Sequence, residues 1–334
     1  MNLENLRKVV VVIIITIFPT KLISSDKVVL STNWLAQAEH GGFYQALAEG
    51  IYEKYDIQVS IRQGGPGINT KALLVAGKVD FNIGGSAGAL NFVNNDIPFK
   101  AVAAIFQKDP QVLISHPNQG NDTLQDFTNK TILISKYNMV TFWPFLRSKF
   151  GFKDDQVKPY NFSLQPFLED PKSIQQGYLT SEPFSIKAQA GFDPVVNLLA
   201  DYGYMPYATT IETSNEKITN NPDLVQRFVD ASIEGWYSYL YGNPKPANDL
   251  IKKDNNEMTD NLLKYAISEI KRRGIVMTGD SVSSGIGSMS HKRWKEFYDL
   301  MREQGLLPDD LDYTDAYTLQ FVNKKKWVGF ENKF

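Results

Sequence analysis

Residues Asn33–Tyr52, NWLAQAEHGGFYQALAEGIY, read as the exit of a strand, a turn, and a helix that opens on two glycines. Just upstream, Val28–Ser31 is a short apolar run rich in valine. Downstream, His40-Gly41-Gly42 precede Phe43, Ala46, Leu47 and Ile51 at helical spacing. Free backbone N–H groups at a helix start attract polar or anionic groups, and ligands of open α/β sheets sit beyond the carboxyl ends of strands. The segment therefore predicts one wall of a binding cleft, with Asn33, Trp34, His40 and Gly41 as candidate contacts.

The same order repeats twice. Ile57–Arg62 alternates as a second strand, Gln63-Gly64-Gly65-Pro66-Gly67 turns, and a helix follows through Leu73, Leu74 and Val75. Asp80–Ile83 predicts a third strand, and Gly84-Gly85-Ser86-Ala87-Gly88 opens a helix through Leu90, Phe92 and Val93. One glycine cluster alone is simply a tight turn. Three at equivalent positions predict a parallel sheet whose loops gather at one edge around a common ligand, which adds Gly64, Gly65, Gly85 and Ser86 to the candidates.

Lys100–Phe106 and Gln111–Ser115 are further strands, separated by Gln107-Lys108-Asp109-Pro110. After His116–Asn121 the pattern restarts. Thr131–Ser135 is β-branched, Lys136–Thr141 leads into a helix bearing Phe142, Trp143, Phe145 and Leu146, and Val157–Phe162, Gln175–Leu179 and Pro194–Leu199 read as strands. Asp201-Tyr202-Gly203-Tyr204-Met205-Pro206 breaks the pattern. The order predicts an α/β architecture of two lobes: residues 26–108 and 207–334 form lobe I, and residues 109–206 form an inserted lobe II. Two crossovers, Ile105–Gln111 and Asp201–Thr209, make a hinge. Helices are predicted from Pro222, capped by Asn221, over Asp260–Arg273 and over His291–Gln304, their apolar stripes packing on the first lobe. Lys324-Lys325-Lys326 reads as a solvated surface run.

Composition narrows the function. Cysteine is absent from the 334 residues, which excludes disulfides, thiolate nucleophiles, thiolate metal sites and a lipidated cysteine. Lys and Arg total 35 against 37 for Asp and Glu, so no global field invites nucleic acid or an anionic membrane. Arg7-Lys8, the apolar run Val9–Phe18 and a polar region ending in Ser24-Ser25 follow the secretory signal order, and the run is short of the roughly 20 residues of a membrane span. Residues 1–25 are read as a signal peptide cleaved near Ser25, with an uncleaved anchor as the alternative. The remaining chain is then a periplasmic protein and not a lipoprotein. His40, His116 and His291 lie in unrelated segments, so no metal and no cofactor is predicted. Serine hydrolase chemistry needs a base beside its nucleophile, and Gly84–Gly88 is read as an approximation to the elbow motif, not as one.

The HGGFYQALAEGIY segment, the GGPG turn, the DFNIGG strand end, the QGYLTSEPF stretch at Gln176–Phe184 and the terminal DAYTLQFVN resemble the substrate-binding proteins of ABC importers for nitrate, sulfonate, taurine and thiamine-pyrimidine precursors. The likeness covers nearly all of the chain after residue 25. It implies the two-lobed, hinge-closing periplasmic binding protein fold of type 2, a monomer with a small-molecule ligand and an ABC permease of the inner membrane as partners, and no enzymatic activity. Asn33-Trp34 followed by His40 is most similar to the thiamine-pyrimidine branch. That branch includes a synthase with a run of cysteines, which this chain lacks, so the synthase reading is rejected.

The resemblance and the strand-end rule together select the remaining candidates. Trp34 and Trp143, one from each lobe, are placed to sandwich a flat heterocycle, although Trp143 stands among core-type residues. Glu182 accepts hydrogen bonds from an exocyclic amine or braces the Pro183 turn. Gln107, Lys136, Asn138 and Thr141 lie on loops at the cleft, and Asp201 and Tyr202 serve the hinge, the ligand or both. An aminopyrimidine ranks first as ligand and riboflavin uses the same features. A sulfonate or nitrate suits the glycine-rich helix starts and Lys136 but is repelled by Glu182.

Overall fold

The computed structural model describes residues 25–324. The signal-peptide reading, apart from Ser25, and Lys325-Lys326 of the lysine run lie outside them. Ten strands build two sheets: β1 (Asp26–Ser31), β2 (Ile57–Arg62), β3 (Phe81–Gly85), β4 (Phe99–Phe106), β5 (Gln111–Ser115), β6 (Ile132–Ile134), β7 (Val157–Pro159), β8 (Ile174–Tyr178), β9 (Val195–Leu198) and β10 (Ala208–Ser214). The first sheet has the order β2-β1-β3-β10-β4 and the second β7-β6-β8-β5-β9. Two lobes result, joined where the chain leaves β4 for β5 and where it returns from β9 to β10.

The first sheet is mixed, which corrects the parallel expectation. β1 runs parallel to β2 and β3, but β10 inserts antiparallel between β3 and β4. A chain returning from an inserted lobe enters at the cleft edge and has to run away from it, so its direction opposes the strands that end there. The entry is irregular. Register shifts between Ala208 and Thr210, and Thr209, a β-branched residue, has φ 48°. In the second sheet β6 is parallel to β7 and β8, while β5 is antiparallel to β8 and β9.

Packing explains the glycines of the opening stretch. The helix Gly41–Ala48 crosses the helix Pro222–Tyr241 so closely that a Cβ on Gly42 would stand 2.2 Å from the Trp236 ring and one on Gly41 2.0 Å from Tyr239. Gly235 returns the fit, with the Gly42 carbonyl 2.3 Å from the Cβ it lacks. Phe43, Phe106 and Tyr239 surround Trp236 edge-on, and Phe81, Phe228 and Tyr52 stack beside them. This aromatic core fixes β1 and its exit loop at the interlobe edge.

Candidate functional site

The carboxyl ends of β1, β2 and β3 face those of β6, β7 and β8 across the interlobe space. The loop after β1 carries Trp34 and Glu39, and the loop after β7 carries Phe162. The Trp34 and Phe162 rings meet with centroids 4.9 Å apart at 45°, and Tyr160 lies 5.3 Å behind Phe162. Phe162 is 52% exposed and has φ 62°, a strained conformation for a bulky residue. Ile68, after β2, and Tyr137 and Val140, after β6, are also exposed apolar side chains on these edge loops, Tyr137 at 65%. Apolar surface gathered on facing loops marks a place where another apolar body sits.

Polar groups join the lobes beside these rings. Thr180 Oγ1, after β8, donates to Glu39 Oε1. Tyr265 OH donates to the Leu179 carbonyl at 3.2 Å, and its ring lies 5.4 Å from Phe184. Glu39 is 4% exposed, and burial raises its pKa to about 7, with Thr180 lowering it and the charge of Glu182 raising it further. Asp109, in the first crossover, is likewise raised to about 7 by burial. Its charge in turn helps raise Tyr178 and Tyr204, after burial itself. The cleft thus combines rings with hydroxyls and carboxyls. Such a lining accepts hydrogen bonds and disfavours anions.

The NMT1/THI5-like family model matches residues 37–247 of the chain. The protein belongs to this family. Riboflavin-binding protein RibY of Chloroflexus aurantiacus (strain ATCC 29366 / DSM 635 / J-10-fl) is 24% identical over 308 residues, covering 89% of this chain and 86% of that protein. The periplasmic aliphatic sulphonate binding protein SsuA from Escherichia coli is similar in structure, with a TM-score of 0.65 at 13% identity, over 87% of this chain and 91% of that one. The desulfurization enzyme DSZB also shares the fold, with a TM-score of 0.57 at 13% identity, over 89% of this chain and 97% of that one. At such identities the structural likeness establishes the periplasmic binding protein fold alone.

Within this NMT1/THI5-like chain the residues singled out from the sequence fall into three groups. Trp34, Glu182 and Lys136 stand at the cleft. Trp34 is half-buried against Phe162, and Lys136 is exposed. Both carboxylate oxygens of Glu182 are engaged within its own lobe, accepting from Tyr160 OH at 3.2 Å, Tyr178 N at 2.7 Å and Ser181 Oγ at 2.5 Å. Asn33 is exposed, and its Oδ1 bonds His40 Nε2 at 2.9 Å. His40 is buried, and burial holds its pKa down at about 3, so it is a neutral brace behind the loop.

A second group is structural. Gly41 lies against Tyr239 in the core, and Gly64 is pressed on the Thr32 carbonyl, 2.5 Å from the Cβ it lacks. Gly65 packs on Leu35 and has φ 150°. Asn138 and Thr141 are buried and bonded to each other, Thr141 Oγ1 donating to Asn138 Oδ1 at 3.0 Å. Trp143 is 1% exposed, lies tilted against Phe152 with centroids 5.9 Å apart and donates Nε1 to Asp154 at 2.8 Å, so the structure puts Phe162, not Trp143, opposite Trp34. Gly85 is part-exposed at the end of β3. Gly84–Gly88 in fact spells G-x-S-x-G in full, but Ser86 Oγ is buried and is taken up by the Tyr207 backbone, accepting from Tyr207 N at 2.9 Å and donating to Tyr207 O at 3.3 Å.

The third group belongs to the crossovers. Gln107 is fully buried, its amide donating to Ala104 and Ser288 carbonyls and its Oε1 accepting from Arg293 at 2.8 Å. Arg293 also donates to the Gln107 and Met205 carbonyls, at 2.6 and 3.1 Å, and lies 4.1 Å over the Tyr207 ring, so one guanidinium ties both crossovers. Asp201 pairs with Lys108 at 3.5 Å and Arg273 at 3.6 Å, and Tyr202 OH donates to Asn197. Glu39, Asp109, Tyr137, Phe162, Tyr178 and Thr180 went unselected. The strand-end rule used for lobe I points to Tyr137, Phe162 and Thr180 when applied to β6, β7 and β8.

Among the described residues no helix is long and apolar enough to cross a membrane.

Proposed function

We propose that the protein is the ligand-capturing component of an ABC importer and that its ligand is a planar nitrogen heterocycle, with riboflavin placed ahead of an aminopyrimidine. The Trp34–Phe162 ring pair across the lobes carries this reading. Aromatic faces stack on flat rings, and the exposed Ile68, Tyr137 and Val140 extend the apolar surface beyond what a single pyrimidine would cover. The name of the Chloroflexus relative supports the same order. The aminopyrimidine stays as the second reading because carboxyls at Glu39 and Asp109 suit an exocyclic amine.

Capture works by closure. Residues 26–108 and 207–324 act as one lobe and 109–206 as the other, turning about the two crossovers until the rings cover the ligand. The N-terminal segment directs export to the periplasm, where the closed form meets an inner-membrane permease. Titration of the purified protein with riboflavin, an aminopyrimidine and taurine, followed by tryptophan fluorescence and Tm, tests this. Riboflavin quenches Trp34 and raises Tm, and the ligand is recovered chemically unchanged. Stabilisation by taurine alone overturns the reading.

A further inference from the structure

Beneath the cleft edge of the first sheet lies a carboxyl that the ligand reading does not use, its pKa raised by burial and drawn back down chiefly by the Lys71 charge. Glu212, in β10, is 0% exposed, and its carboxyl fills the space under the turn Gly84–Gly88. A Cβ on Gly84 would stand 2.0 Å from Oε1, and one on Gly88 would stand 3.6 Å from it. Gly84 leaves room for the carboxyl, and Gly88 leaves room for Lys71. Oε2 accepts from Asn82 Nδ2 at 3.0 Å, and the Thr210 hydroxyl and the Gly85 backbone also favour the ionised carboxyl. Lys71 lies beside the same turn, its Nζ 1.8 Å from the Cβ that Gly88 lacks and 5.1 Å from the Phe92 ring centroid.

The helix Ser86–Asn94 begins on this turn at the carboxyl end of β3, and Gly84 and Gly85 are part-exposed. A helix start with a lysine beside its first turn is a site for an anion. We propose that Glu212 determines specificity by supplying that anion from within the fold. Its carboxyl balances Lys71 and the helix N-terminus, so an anionic ligand such as a sulfonate finds no net positive field there, and the cleft is left to neutral or cationic rings. This rests on the heterocycle reading of the cleft, which it deepens.

The full chain is compared with Glu212→Gln, Glu212→Ala and the double variant Glu212→Gln with Lys71→Met, using taurine and riboflavin as probes and circular dichroism to establish folding. Loss of the charge leaves Lys71 and the helix start unopposed. Taurine then raises the Tm of folded E212Q or E212A by about 2 °C or more, leaves the wild type unmoved, and loses its effect in the double variant. A folded E212Q and E212A that ignore taurine overturn the proposal, as does failure of both to fold, which would make the carboxyl purely structural. Taurine binding by the wild type overturns it together with the heterocycle reading. Riboflavin without effect on the wild type, alongside a taurine response in E212Q, overturns only the riboflavin reading.

Discussion

Thr180 of the second lobe donates its hydroxyl to the carboxyl of Glu39 in the first, so a side chain with a raised pKa forms part of the seam between the lobes. Opening the seam would return Glu39 to water and to its ordinary value of 4.5, whereas the closed arrangement holds it at about 7. Burial is the main cause; the hydrogen bonds from Thr180 and the backbone pull the other way, the charge of Glu182 raises it further, and the Tyr178 and Tyr239 hydroxyls are held up by its charge, after their own burial.

The sign follows from linkage. A carboxyl raised by burial costs nothing while protonated and costs progressively more as it ionises, so closure is fully favoured below the ordinary value and weakens as pH climbs through 7. Ligand affinity is therefore higher at pH 5.5 than at pH 8, by about tenfold or more. Glu39→Gln flattens the profile. Flavin-fluorescence titrations of both proteins across this range check it, and an unchanged slope in the variant would assign the pH response elsewhere, with Asp109→Asn as the next variant to measure.

Trp34 and Phe162 are predicted to matter to ligand and little to folding. Phe162 is half-exposed and Trp34 half-buried, so Ala at either position removes a stacking face while sacrificing little core. Each substitution weakens riboflavin binding by about 1–2 kcal/mol and leaves Tm nearly unchanged. Trp143→Ala does the reverse, because that indole is buried and bonded to Asp154: stability falls by about 3–5 kcal/mol. Isothermal titration and urea unfolding on the three variants separate the two behaviours.

Arg293 is predicted to set the stiffness of the hinge. Its removal leaves Gln107 Oε1 buried without its donor and frees the Met205 carbonyl of the second crossover. Arg293→Ala costs about 1–3 kcal/mol of stability. Because both crossovers lose the same brace, it also changes the rate of ligand association measured by stopped-flow fluorescence. An altered urea midpoint with an unaltered association rate would confine Arg293 to stability.

The lobes were legible because strand–helix alternation and glycine-rich strand ends are local signals. β1, β2, β4 and β5 lie where periodicity puts them, within a residue or two. β10 was not legible, since a strand that enters through a residue with φ 48° and a register shift carries no clean alternation. The site was legible only in part. The place of Trp34 at the interlobe edge follows from its loop position, but Trp143 was assigned by residue type, and only packing shows which of two aromatic segments reaches Trp34. Glu39 was invisible beside His40 because its role depends on Thr180, 141 positions away.

Gly42 separates the two readings of the opening stretch. If a helix start exposed to ligand required the glycine, Gly42→Ala would reduce binding and spare the fold. The structure makes the opposite demand: the new Cβ would sit 2.2 Å from the Trp236 ring, at a helix crossing where Gly235 already meets the Gly42 carbonyl. Neither ring nor backbone has room to yield, since Phe43, Phe106 and Tyr239 enclose the indole. Overpacking there costs about 1–3 kcal/mol or more, which outweighs the modest gain in helix propensity from Gly to Ala. Urea unfolding of Gly42→Ala shows a lower midpoint, and below the transition the folded fraction binds ligand with wild-type affinity.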